Sequence, residues 1–206
     1  VAPSRGLGDV YKRQLLHYQI GVFNGQGINT KDVDNQKDII GGLWVMPISG
    51  MRLGAFGWTG SYARKDNNGI KSISKRRYAI SGEYVTNDWT FRSEYIHSTG
   101  YGFKTVYNDK TNLSETEVDY EKGNKADGFY ALAIAPIIKN KFHVKARYDM
   151  YRPSAEWNNS KTYYEIGADY EFVKNLKISA EYILVNDRSL EKHNYSMIDT
   201  QLSFRF

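Results

Sequence analysis

No cysteine occurs in the 206 residues, which excludes disulfide frameworks, thiolate zinc sites and cysteine nucleophiles together. Proline is scarce, with 4 residues, and long apolar runs are missing. Charges or glycines interrupt each run before it reaches the roughly 18 residues of a membrane-spanning helix. No block of one charge stands out either: 28 basic and 23 acidic residues are interspersed and leave a net charge of +5, which argues against nucleic acid as a partner. HExxH, GxSxG and phosphate-loop motifs are all lacking. What remains is 41% hydrophobic with a mean hydropathy of -0.60, polar for a large soluble core. Such a chain is either a soluble β protein or one that crosses a membrane with strands.

Tyrosine and glycine are abundant, 17 and 18 residues, as expected of twisted strands with interface-seeking side chains. The first 14 residues contain "GLGDVYKRQ", which resembles a translated library adapter, so residues 1–14 are expected to be a non-native leader and 15–206 the domain. From Leu15 onward alternating stretches predict ten strands, near 15–25, 38–48, 51–64, 74–86, 89–100, 126–138, 142–153, 161–173, 176–188 and 196–206. Their length, about eleven residues, matches what a tilted strand needs to cross the hydrocarbon layer. Short connections ("ISG", "TND", "KNK", "VKNL") alternate with long ones such as "KDNNGIKSIS" and the stretch from Tyr101 to Lys125. One end with tight turns and the other with long loops is the pattern of an outer-membrane barrel.

Parity supports the same architecture. In "YYEIGADYEF", Tyr164, Ile166, Ala168, Tyr170 and Phe172 share one face, with Glu165, Gly167, Asp169 and Glu171 on the other. Trp89, Phe91, Phe172, Phe204 and Phe206 are expected in an aromatic girdle at the short-turn end, and Tyr62, Tyr78, Tyr148 and Tyr164 in one at the long-loop end. The charged parity is expected to line a lumen through Arg77, Arg92, Lys145, Arg147, Lys177 and Arg205, with Glu83, Glu94, Asp149, Glu165, Asp169, Glu171, Glu181 and Asp199. These charges either line a water-filled channel or pair across neighbouring strands to keep the wall wet and rigid. Strand three, "MRLGAFGWTGSYAR", alternates glycine with both faces and leaves its parity open.

Catalysis and metals are the competing chemistries. His97 and His193 lie toward the long loops, with Asp187 and Glu191 near His193, which sustains the alternative of a ten-stranded omptin-type protease. No catalytic residue is assigned. Asp32, Asp34, Asn35 and Asp38 recur at short spacing but lack the glycine turn and twelfth-position Glu of a calcium hand. They are expected to form a flexible external loop, and Glu115, Glu117, Asp119 and Glu121 a solvated or lipopolysaccharide-facing hairpin. No metal or cofactor is expected. A non-conducting barrel that binds ligands through its loops is a third reading.

The stretch "YQIGVFNGQGINTKDVDNQKDIIGGLWVMPI" resembles the phosphate-selective porin O and P family through Gly21, Val22, Phe23, Asn24 and Gly25, then Asp34, Asn35, Lys37 and Asp38, then Pro47 and the third strand from Arg52 to Gly60. The resemblance implies a sixteen-stranded transmembrane antiparallel β-barrel, commonly a homotrimer, of which this chain would be the C-terminal ten strands. It implies a passive porin for small hydrophilic solutes and ions in the outer membrane of a Gram-negative bacterium, general or weakly anion-selective, with outer-membrane lipid and lipopolysaccharide as surroundings. No phosphate-binding residue carries over. The ending "SMIDTQLSFRF" places Ile198, Leu202, Phe204 and Phe206 at alternating positions, which resembles the signal that barrel-assembly machinery reads, so Phe206 is expected to be the native end.

Overall fold

The computed structural model describes residues 15–26, 31–111 and 113–205; the leader at 1–14 and Phe206 lie outside them. Among the described residues the chain is all-β: β1 (Leu16–Asn24), β2 (Lys37–Val45), β3 (Met51–Asp66), β4 (Gly69–Thr86), β5 (Trp89–Thr99), β6 (Gly102–Asn108), β7 (Leu113–Asp119), β8 (Lys125–Ile138), β9 (Phe142–Arg152), β10 (Lys161–Val173), β11 (Leu176–Asp187) and β12 (Asn194–Phe204). Ten of them form one antiparallel sheet in the order β1-β2-β3-β4-β5-β8-β9-β10-β11-β12, and β6 and β7 form a separate hairpin inserted between β5 and β8. The sheet is open. β1 and β12 each pair on one side, with β2 and β11, and not with each other, so the described residues form no closed barrel.

Register sorts the side chains into two faces. One row runs Phe91, Ala133, Ala146, Ile166, Tyr182, Ile198 across β5 to β12; the next, on the opposite face, runs Arg52, Glu83, Arg92, Leu132, Arg147, Glu165, Ile183, Met197. The apolar row is open to its surroundings, with Ile166 64% and Ile198 73% exposed, whereas on the polar face Ile183 is 6% and Val185 2% exposed. Period-2 alternation therefore separates a bare apolar surface from a sheltered charged one. The expected girdles lie on the apolar face: Trp89 stacks on Phe91 at 5.8 Å between ring centroids, and Tyr148 meets Tyr164 at 5.4 Å. Tyr62 does not. It pairs with Ile73, two positions from Gly60–Lys75 and four from Trp58–Arg77, and so belongs to the polar face. Glycines on both faces of β3 hide its parity in the sequence, and only the ladder with β4 fixes it.

The long loop expected at 65–74 is a tight hairpin. Asp66 pairs with Gly69 around Asn67 and Asn68, and β3 continues past Thr59, where its ladder with β2 ends. Side chains satisfy the bared edge. Ser61 N donates to Asp38 Oδ1 (3.0 Å) and Ala63 N to Gln26 Oε1 (3.3 Å), while Trp58 Nε1 donates to Asp38 Oδ2 (2.8 Å). A Cβ at Gly60 would lie 1.8 Å from Asp38 Oδ1, so glycine is needed opposite this carboxylate. The expected free loop is likewise tied down. Asp34 accepts from Ser72 Oγ (2.8 Å), Ser61 Oγ (3.1 Å), Gln36 N (3.2 Å) and Gln26 Nε2 (3.3 Å). Burial pushes its carboxyl up, but these donors together hold it below the ordinary carboxylate value.

Candidate channel wall

The polar face carries the chemistry. Across β8–β11 its bases meet carboxylates. Arg147 grips Asp149 through Nε (2.6 Å) and Nη2 (2.7 Å), with Glu165 at 4.0 Å. Asp169 takes His143 Nδ1 at 3.1 Å and Lys177 Nζ at 4.0 Å. Lys145 is ion-paired with Glu181, although β10 runs between their strands. In the register Lys145 stands opposite Gly167 and Gly167 opposite Glu181. A Cβ on Gly167 would come 2.9 Å from Lys145 Cε and 2.8 Å from both Glu181 Cγ and Ala180 O. The missing side chain opens the passage through which the pair joins. Arg92 and Glu83 pair directly between β5 and β4, both well exposed. Such half-wet pairs fix side-chain positions more than they add stability.

The β3–β4 sector is built differently. Arg77 lies over the Trp58 ring at 4.2 Å, Lys75 Nζ over Tyr62 at 4.4 Å, Arg64 over Tyr62 at 5.8 Å, and Arg52 over Trp44 at 5.2 Å. None of these four makes an ion pair among the described residues. A ring quadrupole steadies a cation by about 0.5–2 kcal/mol without cancelling its charge. The buried Asp38 at the foot of this cluster, bonded by Trp58 Nε1 and Ser61 N, keeps its own charge and offsets one of the four. This sector therefore presents net positive potential.

Of the residues expected in the wall, Arg77, Arg92, Glu94, Lys145, Arg147, Asp149, Glu165, Asp169, Lys177, Glu181 and Asp199 share one face by register. Arg205 follows the end of β12, its backbone N donating to Asn175 O at 2.9 Å. Ile198, Leu202 and Phe204 align on the apolar face of β12. In the "GVFNG" segment, Gly21 leaves room for the Phe23 ring, Gly25 for the Asp38 carboxylate, and Asn24 Oδ1 accepts from Lys37 Nζ at 2.6 Å. Arg52, Arg64 and Lys75 were not expected. Lys75 was within reach of parity, two positions before Arg77; Arg52 and Arg64 sit on the strand whose parity the glycines conceal.

The histidines do not converge. His97 is on β5 beside Tyr95 and Asp127, whose carboxylate is held by Arg152 (Nε–Oδ1 2.7 Å) and Tyr95 Oη (3.2 Å). His193 precedes β12 and contacts the Asp187 carbonyl at 3.2 Å. Among the described residues no group of three or more His, Asp or Glu is placed to hold a metal ion.

No protein-family model matches the chain, and no curated protein matches it. The phosphate-selective porin O and P resemblance is therefore carried by the quoted residues alone. Among solved structures, the Ralstonia pickettii toluene transporter TbuX is similar at a TM-score of 0.43 and 11% identity, over 82% of this chain and 48% of that one. This chain thus spans about half the length of that transporter.

Proposed function

We propose that this chain forms part of the wall of a water-filled diffusion channel in the outer membrane of a Gram-negative bacterium. The observation that carries the reading is the two-faced sheet: an exposed apolar row with aromatic borders backs directly onto a row of charges. Charged side chains at every second position are costly against lipid and suit water, while the apolar row suits lipid. The unpaired edges of β1 and β12 are untenable in a bilayer, so closure takes further strands, as in a sixteen-stranded barrel. Within this reading the protein is passive and non-enzymatic, assembled by the barrel machinery as a homotrimer among lipid and lipopolysaccharide. Its preference is weakly for anions, because Arg52, Arg64, Lys75 and Arg77 have no carboxylate partner among the described residues. Phosphate is one anion of that class. Planar-bilayer recording of the membrane-reconstituted protein tests the proposal: stepwise ohmic conductance is expected, and an absence of steps would overturn it.

A further inference from the structure

The β6–β7 hairpin belongs to no ladder of the main sheet, yet it is anchored to one place, the projecting tip of β3–β4. Thr116 on β7 is the anchor. Its backbone N donates to Asp66 Oδ2 at 2.8 Å, and its carbonyl accepts from Lys71 Nζ. Two side chains thus stand in for a neighbouring strand's carbonyl and amide, at a single residue. Asp66 Oδ1 meanwhile accepts from Asn68 N at 2.9 Å, and Lys71 Nζ lies 3.9 Å from Asp66 Oδ2. Beside this clasp Phe103 of β6 meets Tyr62 at 5.6 Å, and Arg64 lies 5.8 Å over Phe103. Tyr62, Arg64 and Lys71 are all polar-face residues, so the hairpin leans over the charged side of the sheet.

The root of the hairpin is narrow. Gly100 N donates to Asn124 O at 2.8 Å, and Tyr101 meets Tyr120 edge-on at 4.8 Å. Gly100 (φ +123°) and Gly123 (φ +71°) bracket it in conformations that other residues rarely adopt, which gives the hairpin two pivots.

We propose that the β6–β7 hairpin is an acid-releasable strap, clasped by Asp66 and Lys71 across the polar-face mouth of the β3–β4 sector. Its role as a cover rests on the channel reading; the clasp itself does not. The backbone N–H of Thr116 holds the Asp66 carboxyl below its usual range, with help from Asn68 N and Lys71 against the opposing effect of burial. A carboxyl so depressed contributes docking energy that is complete above about pH 4 and is lost as pH falls through the lowered value. Protonation weakens Asp66 as an acceptor and removes its pairing with Lys71. The other charged groups of the hairpin are Glu115, which accepts from Asn108 Nδ2 (2.8 Å), Glu117, which adjoins Thr116 and stands opposite Lys104 in the ladder, Asp119, which takes Lys122 at 3.3 Å, and Glu121, which takes Lys104 at 3.3 Å. Arg64, opposite Lys71, lies over Tyr62 and Phe103.

Amide hydrogen exchange of the membrane-reconstituted protein, corrected for intrinsic rates, tests the strap, with bilayer conductance recorded in parallel. Protection of the Thr116 amide is expected to fall severalfold between pH 6 and pH 3 and further toward pH 2. In Asp66→Asn, which still accepts but does not titrate, protection starts lower and stays level with pH. Lys71→Met weakens protection at all pH values and keeps the acid step. Unchanged protection in the parent, or an acid step surviving in Asp66→Asn, would overturn the clasp. Acid-lost protection with higher conductance supports the whole proposal; acid-lost protection with unaltered conductance overturns the cover. Acid-lost protection without channel steps at either pH supports the clasp and sinks the channel reading instead.

Discussion

Along β8–β11 a base on the polar face meets a carboxylate, as in Lys145–Glu181 and Arg147–Asp149, whereas along β3–β4 it lies over a ring, as in Arg77–Trp58 and Lys75–Tyr62. Both arrangements restrain a long side chain. Only the second leaves the field of the cation uncancelled, because a quadrupole has no net charge to offer. One sheet can therefore pair its bases beneath an excess of carboxylates on one flank and attract anions on the other, without a basic block in the sequence.

The strongest way to break that comparison is charge reversal. Lys75→Glu with Arg77→Glu is expected to lower the anion-to-cation permeability ratio by about tenfold, read from reversal potentials in asymmetric potassium chloride. Lys145→Gln with Glu181→Gln removes one charge of each sign and is expected to leave the ratio unchanged. An equal shift from both double variants would erase the distinction between the flanks.

A smaller effect is expected in stability. Gly167→Val places a side chain in the passage of the Lys145–Glu181 pair and against Ala180 O, at a cost of about 1–3 kcal/mol, read from the midpoint of urea unfolding. Gly57→Ala, where a Cβ would meet nothing within 4 Å, is the control and is expected to stay within about 0.5 kcal/mol. Smallest is Arg92→Ala. Its pair with Glu83 is largely solvent-exposed, with side-chain exposures of 49% and 36%, and screening holds the loss to about 0–1 kcal/mol. A loss as large as that of Gly167→Val would mean that the most exposed pairs carry as much of the fold as the crossing over Gly167 does.

Much of this wall was legible in the chain itself. The alternation in "FHVKARYDMY" and "YYEIGADYEF" is unbroken, so the faces of β9 and β10 follow from period 2 alone. The ten strands of the main sheet were all foreseen, and bounds moved by a few residues. Less legible was anything that depends on register. The expected pairing joined adjacent strands, but Lys145 reaches over β10 to Glu181 because the ladder puts a glycine between them. Nor does period 2 assign β3, whose glycines fall on both faces. The stretch "KDNNGIKSIS" carries turn residues that suggest a loop, yet Ile70 and Ile73 are ladder positions and the turn is only Asn67–Asn68. The clasp has no sequence signal at Thr116, whose part in it is its backbone N–H and carbonyl, groups that nearly every residue owns.

The void at Gly167 also has a bearing on descent. Since the space above it is filled from two other strands, positions 145, 167 and 181 hold one volume and one charge balance among them. In any lineage that inherited this sheet, a larger residue at 167 should coincide with shorter or uncharged residues at the other two, so the three sites drift as a single unit.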